Sequence, residues 1–438
     1  MQWTVKGPAF LALGASAALV LAACAGGGTP AASTSGSAAA SSGPVSMTFW
    51  HNANTGDGKT YWDNTVAAFQ KEHPNVTIKI QAIQNEAMDG KLQTALASND
   101  GPTIFMARGG GKLADVVAAD QVMDLTDKIS PENKTALGEG IFGAFTIDGK
   151  IYGMPTSVLP GGIYYSKDLF EEAGITASPT TFAELGDAVT KLKAKGIAPI
   201  ALGGKDAWPA AHWYYFFALR DCARETLDKA AGDKDFSDPC WLKAGEDLKA
   251  FTGTDPFNKG YLTTSAQQGA GSSAGMLANH KAAMELMGAW DPGVIADLTP
   301  DKKALPDLGW FPFPAVDGGA GDPSAMMGGS DGFSCLKNAP AECVDFLNFM
   351  ANKANQEGYA TAFKTLPANK DAKGVVTDPA LKDVLASYDK AAYVELWLDT
   401  QYGQNVGNAL NGGVVNMFAG KGMPADIVAA MKSAAAKG

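Results

Sequence analysis

Apolar residues in the first hundred positions recur with two different spacings, one in some segments and the other in the segments between them. Segments with apolar side chains at every second position predict strands, and a spacing of three or four, as at Trp62, Val66 and Phe69, predicts an amphipathic helix. The predicted elements are strands over 46–50, 76–80 and 103–106, with helices over 61–72 and 88–97. This β-α-β-α-β order predicts an α/β fold with a parallel sheet covered by helices on both faces.

Polar loops follow each of these strands. In open parallel sheets, ligands bind beyond the carboxyl ends of the strands, which places the loops 51–60, 84–86 and 108–111 on one rim. The candidate ligand contacts there are His51, Asn52, Gln84, Glu86 and Arg108. Arg108 is of interest because a guanidinium group presents a fork of donors to paired oxygen atoms. Trp50, at the end of the first strand, is expected to fill the core.

A second α/β region begins near Gly161. Its predicted elements are helices over 170–173, 182–195 and 208–219, strands over 198–202 and 283–287, and an extended segment over 308–316. Thr181 and Glu184 form a capping-box pattern at the start of one helix. The extended segment is expected to return to the first sheet, which gives two lobes joined by more than one crossing, a hinged clam. The expected limits are 47–155 with 312–354 for lobe 1, and 156–311 with 355–438 for lobe 2.

The first 46 residues have a different composition. One lysine, Lys6, precedes an apolar run that ends in small residues before Cys24, the pattern of a signal peptide over 1–23 and of a lipid attached to Cys24. Residues 24–46 carry no charge and are rich in Ala, Ser and Gly, which predicts a flexible tether. The alternatives are an ordinary secretion signal or a membrane helix, for which the run is short.

The charge of the chain limits the kinds of partner that it is expected to bind. The chain of 438 residues has 35 Lys and Arg against 46 Asp and Glu, and it has no basic run, so nucleic acid is not expected as a partner.

Beyond Cys24 the cysteines are Cys222, Cys240, Cys335 and Cys343. Disulfides between the close pairs, Cys222–Cys240 and Cys335–Cys343, suit an oxidising exterior, with four buried thiols as the alternative. The four histidines are too scattered for a metal-ligand pattern.

Several short segments, in this order, carry a resemblance to a known family. They read PTIFMARGGG at 102–111, DGKIYGMP at 148–155, YYSKDLF at 164–170, PIALGG at 199–204, AAM at 282–284, GAW at 288–290 and GWFPFP at 309–314. Over about 47–420 the chain resembles the carbohydrate-binding lipoproteins of bacterial ABC importers, the family related to maltose-binding protein. Residues 50–52, 81–86 and 107–111 resemble actinobacterial binders of xylobiose and xylo-oligosaccharides. Thr103 and Ser166 depart from the family, which often has Asp and Asn there.

The resemblance implies a periplasmic-binding-protein-like fold with a central ligand cleft and a site for sugar. Sugars present hydroxyl groups and apolar C–H faces, so amide or carboxylate groups beside aromatic rings suit them. Relatives place a stacking tryptophan at the position of Trp290. The further candidates combine aromatic and polar side chains: Trp208, His212, Asp291, Asp331, Trp397, Asp399 and Gln401. For the tryptophans the alternative is core packing, and for the aspartates it is a solvated loop.

The expected function is capture of an oligosaccharide by hinge closure and its delivery to membrane permease subunits, without a cofactor or covalent chemistry. The expected protein is a monomer, lipid-anchored at the extracellular face of the membrane. Xylobiose and xylo-oligosaccharides are the expected ligands, with cellobiose, maltose or chitobiose as alternatives. A glycoside hydrolase would instead release reducing sugar and needs two carboxylates about 5–10 Å apart. An adhesion protein would not compact when a ligand binds.

Overall fold

A five-stranded sheet and a four-stranded sheet organise the chain, which a computed structural model describes over residues 43–437. The predicted signal peptide, Cys24 and the predicted tether as far as residue 42 lie outside the described residues. The strands are β1 Val45–His51, β2 Val76–Ala82, β3 Ile104–Ala107, β4 Thr146–Ile147, β5 Lys150–Ile151, β6 Met154–Pro155, β7 Ser157–Val158, β8 Gly161–Ser166, β9 Ala198–Ala201, β10 Ala282–Gly288, β11 Leu308–Phe311, β12 Met326–Gly328, β13 Gly332–Cys335, β14 Leu366–Pro367 and β15 Val394–Leu396.

Helices connect the strands and cover the sheets. They are α1 Gly56–Glu72, α2 Asn85–Ala97, α3 Gly110–Ala118, α4 Pro131–Leu137, α5 Lys167–Glu172, α6 Phe182–Ala194, α7 Trp208–Asp221, α8 Arg224–Asp233, α9 Cys240–Thr252, α10 Ser273–Ala278, α11 Asp291–Leu298, α12 Ala341–Ala351, α13 Lys353–Phe363, α14 Pro379–Tyr388, α15 Leu398–Gln401, α16 Gly403–Phe418 and α17 Pro424–Ala435. Among the described residues, no helix has the length and apolar character needed to cross a bilayer.

The first sheet has the order β2-β1-β3-β13-β6. β1 runs parallel to β2 and β3, as the β-α-β-α-β pattern predicts, whereas β13 is antiparallel to β3 and β6. Met47 and Phe49 point into a core that Trp62 and Phe69 of α1 complete. The period-two and helical patterns therefore bury their apolar faces against each other.

The second sheet has the order β11-β8-β10-β9. All seven residues of β10 are buried, because other elements cover both faces of this central strand, as is usual for α/β sheets. A separate and larger core surrounds it, built mainly from α6, α7, α9 and α16. The α/β class is thereby confirmed, and so is the capping box of Thr181 and Glu184 at the start of α6.

Several boundaries differ from the sequence-based expectation. β1 begins at Val45, so Val45 and Ser46 belong to the first sheet and not to the tether. α1 and α2 begin at Gly56 and Asn85, which shortens the two rim loops. The residues added at these helix starts, such as Gly56, Asp57, Asn85 and Glu86, are mostly small or polar, so they carry no apolar periodicity to mark them.

The return of the chain to the first sheet also comes later than expected. β11 pairs antiparallel with β8 at the edge of the second sheet, and Phe313 packs in the second core. The chain enters the first sheet only at β13. Beyond it, α13 packs against α1, and Tyr359 joins the first core. Prolines near Phe313 signal an extended chain but not the sheet that it joins.

The four described cysteines form two disulfides. Cys222 pairs with Cys240 with Cα atoms 5.1 Å apart, and Cys335 pairs with Cys343 with Cα atoms 6.1 Å apart. The first joins the end of α7 to the start of α9 across the segment that contains α8, and the second ties β13 to α12. These are the two pairings that the spacing favours.

Removing both Cys222 and Cys240 by substitution with Ala should lower the free energy of unfolding by about 3 kcal/mol, because the link closes a loop of 18 residues. Denaturant unfolding measures the loss. The matched control, Cys335→Ala with Cys343→Ala, opens a loop of 8 residues and should cost about 2.5 kcal/mol. Free thiols at Cys222 and Cys240 in non-reduced peptide mass maps would contradict the assignment.

Candidate functional site

A polar network joins the carboxyl ends of the three parallel strands. Arg108, directly after β3, donates from Nε to Asp89 Oδ1 at 2.8 Å and from Nη2 to Asn85 Oδ1 at 2.8 Å. Asn52, after β1, donates from Nδ2 to the same Asn85 oxygen at 3.2 Å. Parallel pairing brings these strand ends to one edge, so Asn52 and Arg108 lie together as the sequence predicts.

Two charges extend this network away from the first three strands. Lys112 Nζ lies 3.0 Å from Asp89 Oδ2 and 3.5 Å from Asp399 Oδ2, and Arg108 Nη1 lies 3.7 Å from Asp331 Oδ1. Burial alone would raise the pKa of Asp89, but Arg108 and Lys112 hold it well below its usual range. For Asp331, burial outweighs Arg108 and raises the pKa.

Four aromatic side chains form a second group, termed the aromatic cluster: Trp208 and His212 of α7, Trp290 after β10, and Trp397 after β15. His212 stacks on Trp397 with ring centroids 4.2 Å apart and planes at 14°. Trp290 lies edge-on, 5.7 Å from Trp397 and 6.0 Å from Trp208. The Trp397 ring packs against Gly161, where any side chain would clash because a Cβ would lie 2.5 Å from the ring.

Polar atoms of the aromatic cluster have no hydrogen-bond partner among the described residues. These enclosed atoms are Nε1 of Trp208, Trp290 and Trp397, and Nδ1 of His212. A buried polar group without a partner costs about 1–3 kcal/mol. Hydroxyl groups of a bound molecule could satisfy these atoms while its apolar faces contact the rings.

Asp399 lies between the polar network and the aromatic cluster. It faces Lys112 of α3 at 3.5 Å, and Asn411 Nδ2 donates to it at 3.4 Å. Burial lowers the pKa of His212 to about 4, and the nearby charge of Asp399 only partly offsets this. His212 is therefore neutral at neutral pH. The carboxylate of Asp399 is the point at which the polar network and the aromatic cluster come together.

Other candidates occupy different surroundings. His51 is enclosed in the first core, with its ring 5.1 Å from Phe49 and 5.8 Å from Trp62, and burial lowers its pKa to about 4. Asp291 is also fully enclosed, beside Glu285. Neither side chain joins the network, because each packs inside a core.

The remaining candidates lie at the edges. Gln84 is exposed at the start of α2 and makes no capping hydrogen bond. Glu86 is exposed and accepts a hydrogen bond from Gln268 Nε2 at 3.2 Å, which links α2 to the segment before α10. Gln401 is half-buried at the end of α15, where its backbone oxygen lies close to Gly111 of α3.

Sequence reasoning missed four members of these contacts: Asn85, Asp89, Lys112 and Gln268. Asn85 and Asp89 lie four residues apart at the start of a helix that follows a strand, and Lys112 lies four after Arg108. That spacing places each pair on one helix face or turn, and it was available as a signal. Gln268 carries no local signal, because its partner Glu86 is 182 residues away.

One group of side chains has metal-ligand chemistry. Single donor atoms of Asp168, His280 and Asp307 lie within 4.8 Å of one another at the far end of β8. His280 Nε2 already pairs with Asp307 Oδ2 at 3.0 Å, and Ser166 donates to the same oxygen. The group thus acts as a hydrogen-bonded cap between β8, β10 and β11.

The chain has relatives of known description. Residues 52–357 match the profile of the family described as bacterial extracellular solute-binding protein. The melibiose/raffinose/stachyose-binding protein of Bacillus subtilis is 25% identical over 329 residues, which cover 72% of each chain.

Two solved structures are also similar. One comes from work on xylan utilization by the thermophilic bacterium Caldanaerobius polysaccharolyticus; it has a TM-score of 0.81 at 27% identity and covers 89% of this chain and 99% of that one. The other is a chitin oligosaccharide binding protein, with a TM-score of 0.80 at 26% identity, covering 90% of this chain and 98% of that one. These two-domain neighbours confirm the predicted two-lobed fold.

Acidification should destabilise the wild-type protein relative to His212→Asn. The pKa of His212 is about 4 in the folded chain and 6.5 unfolded, so between these values the unfolded chain binds a proton that the folded chain does not. Folded stability therefore falls as pH falls through this window, by up to about 3 kcal/mol. Denaturant unfolding at several pH values measures the difference, and parallel profiles for the two proteins would contradict it.

Proposed function

Because the chain belongs to the family of bacterial extracellular solute-binding proteins, we propose that it is the sugar-binding component of an ABC importer and that it captures oligosaccharides. The aromatic cluster carries this proposal. Three indole rings, whose N–H groups have no hydrogen-bond partner within residues 43–437, lie beside a network of paired charges. Rings contact the C–H faces of a sugar, and the polar groups exchange hydrogen bonds with its hydroxyls.

The proposed contacts divide between the two sheets. Asn52, Arg108 and Asp331 supply polar groups from the first sheet, and Asp399 supplies a carboxylate from the start of α15. The aromatic contacts are Trp208, His212, Trp290 and Trp397. Gln84, Glu86 and Gln401 lie at the edges of this set and would meet a longer ligand. His51 and Asp291 are left out because His51 packs on Phe49 and Trp62 in the first core and Asp291 faces Glu285.

Xylobiose and short xylo-oligosaccharides are the proposed ligands within this class. The similarity to a structure from work on xylan utilization supports these ligands. The resemblance of residues 50–52, 81–86 and 107–111 to binders of xylobiose and xylo-oligosaccharides supports them as well. The alternative is another disaccharide, such as cellobiose, maltose or chitobiose, because other relatives carry the names of chitin and of melibiose, raffinose and stachyose. Such ligands differ by a few hydroxyls or substituents, which hydrogen bonds discriminate.

Closure of two lobes around the sugar is the proposed mechanism. The lobes are built on the two sheets, and contacts already bridge them: Lys112 to Asp399, and Gln268 to Glu86. A ligand that binds the closed arrangement more tightly than the open one shifts the population toward the closed arrangement. Membrane permease subunits would recognise that closed form. The protein would act as a monomer at the extracellular face of the membrane, anchored through a lipid on Cys24, and would need no cofactor.

Replacing Trp290 with Ala should weaken sugar binding by about 1–3 kcal/mol, the range for a lost aromatic anchor. Calorimetry measures the affinity, and circular dichroism checks that the fold is intact. Trp50→Ala is the matched control, because its indole packs on the first core and its loss should affect stability but not affinity. Unchanged affinity in Trp290→Ala would remove Trp290 from the site.

A calorimetric panel of oligosaccharides tests the function itself. We expect tight one-to-one binding of xylobiose or xylotriose and no binding of monosaccharides, because the contacts span two sheets. Tight binding of a different disaccharide would keep the importer function and reject the xylan assignment. Absence of binding across the panel, or release of reducing sugar by the purified protein, would contradict the proposed function.

A further inference from the structure

Two buried carboxyl groups lie directly beside the aromatic cluster. Glu285 is in the middle of β10, and Asp291 begins α11 immediately after Trp290. Their side chains are 1% and 0% exposed, and all four carboxyl oxygens are enclosed. The proposed sugar contacts do not use either group.

Among the described residues these oxygens have no hydrogen-bond partner of regular geometry, and the hydroxyl of Ser273 is the neighbouring donor that acts on Glu285. Neither carboxyl group forms an ion pair with a Lys, Arg or His side chain in that part of the chain. The hydroxyl of Ser273, on α10 next to Glu285, donates its only proton to the carbonyl of Ala266 at 3.1 Å. Tyr164 on β8 also faces Asp291, and its hydroxyl has no partner among the described residues, whereas Asp378 before α14 acts on Tyr164.

Two enclosed carboxylates without a cation cannot both stay ionised, because burial and mutual repulsion disfavour the second charge. The two carboxyl groups interact directly with each other. Burial, followed by the charge of Asp291, raises the pKa of Glu285 well above its usual range, and burial raises the pKa of Asp291 to about 8. At neutral pH, at least one proton is retained.

We propose that Glu285 and Asp291 share one proton, and that the hydrogen bond between them positions Trp290 for ligand binding. This rests on the proposed function of the aromatic cluster. The bond ties the middle of β10 to the first residue of α11 and so closes the turn that carries Trp290. Within the turn, the indole packs on Gly288, where a Cβ would lie 2.0 Å from the ring, and Thr365 donates to the Ala289 carbonyl at 2.8 Å.

Loss of the shared proton would place two negative charges against each other and loosen the turn. Ligand binding to the positioned Trp290 is then linked to retention of the proton. Wild-type affinity should fall about tenfold for each pH unit above the pKa of the pair. A residue with a purely structural role would not produce this slope.

The first test compares pH profiles of sugar affinity between about pH 7 and about pH 10. Glu285→Gln keeps a donor for Asp291 but cannot ionise, so its profile should be flat while the wild-type profile falls. Glu285→Met fills the space without the bond and should bind more weakly at every pH. Asp221→Asn removes a different buried carboxyl, paired with Lys243 on α9, and should follow the wild type. A Glu285→Gln profile as steep as wild type would overturn the proposal.

A second test needs no sugar and separates this proposal from the proposed function. Infrared spectra of the wild-type protein at neutral pH should contain the band of buried protonated carboxyl groups, and this band should be weaker in Glu285→Gln. Tryptophan fluorescence of the unliganded wild type should change as the pair titrates, and that of Glu285→Gln should not. A band of equal intensity in the wild type and in Glu285→Gln would overturn proton sharing, and identical fluorescence titrations would overturn positioning, even if no sugar in the panel binds.

Discussion

The paired charges around Arg108 are the interaction on which the rest of the site depends. A guanidinium group removed from water is costly unless carboxylates and amides satisfy its donors, and here Asp89, Asn85 and Asp331 do so. Asn85 and Asp89 lie in the first part of α2 and Asp331 directly precedes β13, so one residue after β3 fixes the positions of two neighbouring elements. Lys112 extends the same charge balance to Asp399 and thus to the second sheet.

Beyond Asp399 the chemistry changes from charge pairing to ring packing. His212, stacked on Trp397, is neutral because burial opposes its protonation. The indoles of Trp208 and Trp290 close the cluster at angles of 62–65° to their neighbours. Such tilted contacts are the favoured geometry for aromatic pairs, and they leave the N–H groups enclosed and unused. The polar network thus offers fixed charges to a ligand. The aromatic cluster offers apolar ring faces and N–H groups that have no hydrogen-bond partner among the described residues.

The same low-dielectric surroundings explain why several titratable groups in this chain depart from their usual behaviour. Histidines at positions 51 and 212 are held neutral, whereas the pair of Glu285 and Asp291 retains at least one proton at neutral pH. These two kinds of group change the folding stability in opposite directions as the pH rises. The buried histidines stabilise the folded chain more at higher pH, and the buried acids stabilise it more at lower pH. The acid pair flanks Trp290 and His212 stacks on Trp397, so the protonation states of both bear on the site and not only on the fold.

The sequence by itself determined the α/β class, the first three strands, the α6 capping box and the rim on which Asn52 and Arg108 lie, because local periodicity and capping chemistry act over a few residues. It also singled out the tryptophans, through their resemblance to a sugar-binding family. Only the tertiary structure decided that β11 stays in the second sheet, that His51 and Asp291 are enclosed, and that Lys112 meets Asp399. Lys112 and Asp399 are far apart in the sequence, and β11 could have joined either sheet, so these contacts arise from the packing of whole elements, which no local pattern encodes.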